Sequence, residues 1–160
     1  MVRRLCALVA VCLAVACQHG APPPAVSAGP LTPKEVVAAG RATVEQWRQA
    51  YEVRSFDALA KLYAHDAQLV IVLDGAPLVG WTAIGQLLQD RLAHAKEIHV
   101  RLKDVTVSSV APTVATAAAT MTREIGDGIT TVTEAGALTL VLRKDADGWK
   151  IVLEHYSYKR

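Results

Sequence analysis

The last third of the chain constrains the fold most. From Ile98 to Tyr158 four β-type stretches follow one another with only turns between them: Ile98–Val107, Val114–Glu124, Thr130–Lys144 and Trp149–Tyr158. The breaks fall around Pro112, near residue 128 and at "DADG", Asp145 to Gly148, all residue types that mark turns. Successive strands joined by tight turns pair antiparallel. The stretch Thr130–Lys144 is too long to lie flat, so the sheet must twist and bend. Within Ile98–Val107 the apolar residues Ile98, Val100 and Leu102 change phase at Val105 and Val107. One extra residue in the pleat produces that change, and such a bulge bends a sheet sharply.

Helical signals come earlier. "TPKE" supplies Thr32 as N-cap, Pro33 at the first helical position and Glu35 to complete a capping box. The helix runs to about Glu52 with Val37, Gly40, Val44, Trp47 and Tyr51 on one stripe. A short second helix, capped by Ser55, places Phe56, Leu59, Ala60 and Tyr63 on one face. A third begins at Thr82, with Ile84, Leu87, Leu88, Arg91, Leu92 and Ala95 in its stripe. Between them Leu69–Leu73 is a wholly apolar strand, followed by a turn at "DG". Helices clustered ahead of an antiparallel sheet indicate an α+β domain. The expected shape is a cone: a curved antiparallel sheet with about three helices packed on its concave face. The small residues of "VATAAAT" in the second long strand imply either a closely packed helix or room for a ligand.

The N-terminus reads as an export signal. Arg3 and Arg4 precede an apolar run from Leu5 to Ala16, shorter than the about 20 residues of a membrane span. Ala14, Val15 and Ala16 lead into Cys17, which resembles a bacterial lipoprotein signal in which the cysteine is lipidated. Ala14 stands where that pattern has Leu, Val or Ile; an ordinary signal peptide cut nearby is the alternative. The expected organisation is a signal peptide over 1–16, a lipidated tether over 17–30 rich in Pro, Gly and Ala, and one domain over 31–160. The location expected is the periplasmic side of a membrane. Gln18 lacks the aspartate that retains lipoproteins at the inner membrane, which favours the outer one.

All three cysteines, Cys6, Cys12 and Cys17, fall at or before the end of the signal, so the domain has no disulfide, thiolate metal site or cysteine nucleophile. The chain has 17 basic and 15 acidic residues; without Arg3 and Arg4 the count is 15 of each. With no basic run, nucleic acid is not an expected partner. His65, His94 and His99 lack metal-ligand spacing, and "DADG" lacks the ligands of a calcium loop, so neither a metal nor a cofactor is expected.

"FDALAKLYAHDAQLV" and "TLVLRKDADGWKIVLEHYS" resemble segments of the nuclear transport factor 2-like superfamily, and within it SnoaL-like domain proteins. The likeness extends over nearly all of 31–160 and includes ketosteroid isomerase and the association domain of calcium/calmodulin-dependent kinase II. It implies the cone-shaped fold, but that fold hosts catalysts, binders and assembly domains. The isomerase's general base falls at Ile71, its oxyanion-hole tyrosine at Trp47, and its second oxyanion donor at Leu140. None of these side chains can perform the corresponding role. Pocket arginines of the kinase domain fall at Leu140 and Tyr156, so an acidic ligand loses that anchor.

Strict alternation sorts the last strand into Trp149, Ile151, Leu153, His155 and Ser157 on one face and Lys150, Val152, Glu154, Tyr156 and Tyr158 on the other. The resemblance turns the second set toward the hollow and the first toward a dimer partner. The expected pocket is therefore Trp47, Tyr51, Tyr63, Ile71, Leu140, Glu154 and Tyr156, binding a small apolar or aromatic molecule without catalysis. Two alternatives stand beside it. One is a SnoaL-like isomerase, cyclase or hydrolase with Glu154 or His155 as acid/base, although neighbours on a strand point apart and cannot form a dyad. The other is an assembly domain with a vestigial pocket. For Glu154 the structural alternative is a partly solvated carboxylate paired with Lys150 or an arginine.

Overall fold

A computed structural model describes residues 29–158. Cys17, the segment 1–16 expected to be a signal peptide and most of the segment expected to be a tether lie outside the described residues. Three helices, α1 (Pro33–Glu52), α2 (Phe56–Ala60) and α3 (Trp81–His94), accompany six strands. The strands are β1 (Val70–Leu73), β2 (Ala76–Val79), β3 (Glu97–Ala111), β4 (Val114–Gly126), β5 (Thr131–Asp145) and β6 (Gly148–Tyr158). They form one sheet in the order β2-β1-β6-β5-β4-β3. The pairing is antiparallel except where β1 runs parallel to β6. This is the α+β architecture, three helices and a mostly antiparallel sheet, that the resemblance implied.

The local signals explain the helices. Thr32 and Glu35 form the capping box, with Thr32 N donating to Glu35 Oε2 at 2.8 Å. Val36, Gly40, Val44, Trp47 and Tyr51 turn a buried stripe of α1 onto the sheet. Gly40 sets how close the helix comes: a Cβ there would stand 2.7 Å from Val107 Cγ1 and 3.5 Å from Ala115 Cβ. The small residues of β4 are thus matched to a closely packed helix. The slit left beside Ala117 and Ala119 does not admit a water molecule.

Several local expectations needed revision. α2 ends at Ala60, and the chain through Tyr63 instead runs beside β6: Ile151 N donates to Leu62 O at 2.7 Å, and Ala64 N to Ile151 O at 3.0 Å. α3 starts at Trp81, one residue before Thr82, with Gly80 as its cap at φ +85°. β2 was not foreseen. It is a short edge strand, where Pro77 is tolerated because its missing N–H faces no neighbour. The bulge in β3 is present: the register with β4 shifts between Lys103 and Thr106, around Asp104 at φ +55°.

The strict alternation assigned to β6 fails at one point. Val141 pairs with Leu153 and Leu142 with Ile151, so Val152 is left over. Before this bulge Ile151 joins the core; after it Glu154 and Tyr156 do. Ile151 was expected on the opposite face from Glu154, and the bulge puts both inside.

Candidate functional site in the cone

Cross-strand register arranges the concave face in rows. One row runs Ala117, Leu140, Glu154 and Ile71 across β4, β5, β6 and β1. The next places Leu138 beside Tyr156, and further toward the rim Arg123 on β4 stands opposite Glu134 on β5. Trp47 and Tyr51 reach into the same interior from α1, and Tyr63 from the segment after α2. All seven residues expected to line a pocket, Trp47, Tyr51, Tyr63, Ile71, Leu140, Glu154 and Tyr156, are buried in this space.

Glu154 is the polar centre of the deep end, with no exposed surface. Its Oε2 accepts from the Trp47 indole N–H at 3.3 Å and from the Tyr63 hydroxyl, while the same indole reaches Tyr63 Oη at 2.9 Å. Its Oε1 is buried without a hydrogen-bond partner, as is the Tyr51 hydroxyl. Burial pushes the Tyr63 hydroxyl well above its ordinary pKa, and the Glu154 carboxyl beside it adds to the effect. The pairing of Glu154 with Lys150 does not occur. Lys150 bonds the Lys61 carbonyl at 2.7 Å and pairs with Asp147 at 2.8 Å. His155 is half-buried and shares none of these contacts.

A second polar group lies toward the rim. Arg123 is also 0% exposed. Its guanidinium lies between two rings, 5.1 Å from the Tyr51 centroid and 4.7 Å from that of Tyr156. Nη1 donates to Tyr156 Oη at 2.9 Å and Nε to Glu134 Oε2 at 2.6 Å. Nη2 lies against that same oxygen as an ion pair, but without hydrogen-bond geometry. Burial opposes the charge on Arg123, and Tyr156, Tyr51 and Glu134 outweigh it. Burial also raises the Tyr156 hydroxyl, against the pull of Arg123.

The hollow expected over Glu154 is occupied by the protein's own rings. Open space begins at the rim, as a groove of about 500 Å³ lined by Leu73, Asp74, Arg91, Thr133, Glu134 and Tyr158, among others. Tyr158 stacks on Tyr156 with ring centroids 6.0 Å apart, which joins the groove to the interior.

Arg123 and Glu134 were not picked out from the sequence, although a signal existed. Ala115, Ala117, Ala119 and Met121 are buried at every second position of β4, and the same alternation turns Arg123 inward. Asp66 is a turn residue, accepting from Gln68 N at 2.9 Å and Leu69 N at 3.0 Å. It also meets Arg143 at 3.0 Å, and that bond holds its carboxyl below the usual range.

This geometry accords with known proteins. A protein of the NTF2-like family from Streptomyces avermitilis, assigned as a dehydratase, superposes with a TM-score of 0.73 at 24% identity, covering 81% of this chain and 99% of that one. A protein from Thiobacillus denitrificans, assigned as a calcium/calmodulin-dependent protein kinase type II association domain, gives 0.64 at 26% identity over 82% and 99%. An NTF2-like superfamily protein from Salmonella enterica gives 0.70 at 16% identity over 79% and 93%. No functionally curated protein matches the sequence. The profile of the SnoaL-like domain matches residues 41–159, and the chain belongs to that family.

Proposed function

We infer that this SnoaL-like protein binds a small molecule in its cone, without catalysing its conversion, while tethered to a membrane through Cys17. The observation that carries the reading is the pair of unpartnered polar atoms, Tyr51 Oη and Glu154 Oε1, inside an aromatic interior. A buried polar atom without a partner costs about 1–3 kcal/mol, so its retention favours a guest that completes it. The ligand this suits is aromatic with a polar group, rather than wholly apolar. It would enter by the groove at Tyr158 and displace ring contacts on its way inward. Dimerisation through the outer face of the sheet belongs to the same proposal. Thr120, Ala137, Thr139, Leu153, His155 and Ser157 form a strip there without carboxylate, lysine or arginine, which limits the desolvation cost of covering it.

A second reading is favoured by one observation. Glu154 stands between Ile71 and Leu140, the positions at which ketosteroid isomerase keeps proton-handling groups. A carboxyl there, hydrogen-bonded to Tyr63, could move a proton on a bound substrate. The assembly-domain alternative instead predicts an interior that never opens.

Native mass spectrometry of the full chain, purified in detergent from its own host, tests the binding reading. The expected result is a retained small molecule, lost in Glu154→Leu. A protein that carries nothing and takes up no aromatic probe would leave assembly as the function. A retained molecule that emerges chemically altered would move the assignment to catalysis. Membrane fractionation of Cys17→Ser tests the anchor, with release into the soluble fraction expected.

A further inference from the structure

The groove at the rim carries a largely desolvated cation, Arg91. Arg91 sits on α3, within the apolar stripe that faces the sheet, and its side chain is 15% exposed. Its contact with an acid is Glu134 Oε1 at 3.9 Å, beyond hydrogen-bond distance. Glu134, itself 19% exposed, is already committed through its other oxygen to Arg123. Two desolvated guanidinium groups thus share one carboxylate. Asp74 also borders the groove, but it is exposed on the β1–β2 turn, where solvent screens its charge. Arg91 lines this groove and also the neighbouring one of about 360 Å³ beside His94 and Ile125.

We propose that Arg91 is the anchor for a carboxylate on the ligand, which docks in the groove with its ring toward Tyr158 and the interior. A planar carboxylate takes the guanidinium fork with both oxygens, a match that Glu134 does not provide. The added charge balances the Arg91–Arg123–Glu134 trio. Entry from the rim also orients the molecule, carboxylate outward and ring inward. This anchor differs in position from Leu140 and Tyr156, where the sequence offers no cation. The inference rests on the small-molecule reading and names the chemistry of its guest.

Benzoate and its neutral counterpart benzyl alcohol separate the two ideas. Each is titrated onto the full chain in detergent at constant ionic strength, with binding followed by ligand-observed NMR. Benzoate should bind at least about tenfold more tightly than benzyl alcohol. Arg91→Met, which keeps an unbranched side chain and removes its charge, should keep its fold by circular dichroism and lose that preference. Equal affinity for the two probes, or an undiminished preference in Arg91→Met, overturns the proposal. If benzyl alcohol binds and benzoate does not, the cone is still a binding site and Arg91 is not its anchor. If neither binds, the anchor falls, and the retained-molecule measurement decides the wider reading by itself.

Discussion

The cone holds two buried polar groups of opposite kind, a few residues apart on one sheet face. At the deep end Glu154 is surrounded by neutral donors, the Trp47 indole and the Tyr63 hydroxyl, with Ile71 and Leu140 on either side. Toward the rim Arg123 has a carboxylate, a hydroxyl and two ring faces. The difference follows from the chemistry of the two groups. A guanidinium cannot shed its charge in a protein, so burying it requires a counter-ion close by. A carboxyl can be satisfied by neutral donors, and here only one of its oxygens is. Arg123 is therefore paired with an opposite charge, while Glu154 keeps one oxygen without a donor. Tyr156 connects the two, bonded to Arg123 and next in line to the Glu154 row.

Substitutions should break the comparison unequally. Glu134→Ala leaves the Arg123 charge buried and without its counter-ion, and should cost about 3 kcal/mol of stability in guanidinium denaturation. The double change Arg123→Met with Glu134→Leu should recover most of that loss, because it removes both charges together. Glu154→Leu leaves the Tyr63 hydroxyl without an acceptor and the Trp47 indole with Tyr63 Oη alone, and should cost about 2 kcal/mol, whereas Glu154→Gln keeps an acceptor and should cost under about 1 kcal/mol. Equal costs for these two would mean that the donors do not depend on Glu154.

The smallest effect is a pH dependence. Burial raises the hydroxyls of Tyr63 and Tyr156 well above 10.0 in the folded state. Above that pH the unfolded chain releases protons that the folded chain keeps, so stability should fall as pH rises from about 10. Tyr63→Phe should flatten the slope of stability against pH in this range. An unchanged slope would show that Tyr63 does not contribute.

The sequence revealed elements more readily than side-chain partners. The capping box at Thr32, the stripe of α1 and the phase change near Val105 each predicted what the fold contains, because each depends on neighbours close in sequence. β2 escaped notice, since four residues with a proline at an edge give almost no pattern. Trp47, Tyr63 and Glu154 were identified as interior residues, but their mutual hydrogen bonds join positions as far apart as 107 residues and follow only from assembled register. Arg123 shows the reverse difficulty. Its alternation was visible, yet charge argues for the surface, and only the pairing with Glu134 and the rings of Tyr51 and Tyr156 makes its burial tenable.

The surplus residue Val152 fixes the parity of everything beyond it on β6. Gaining one residue between Val152 and Glu154 would exchange the interior's carboxyl and phenol for the Leu153 side chain and the His155 imidazole, with no substitution at all. In this architecture a single insertion along one strand can rewrite the polar chemistry of the interior while every side chain of the strand is kept.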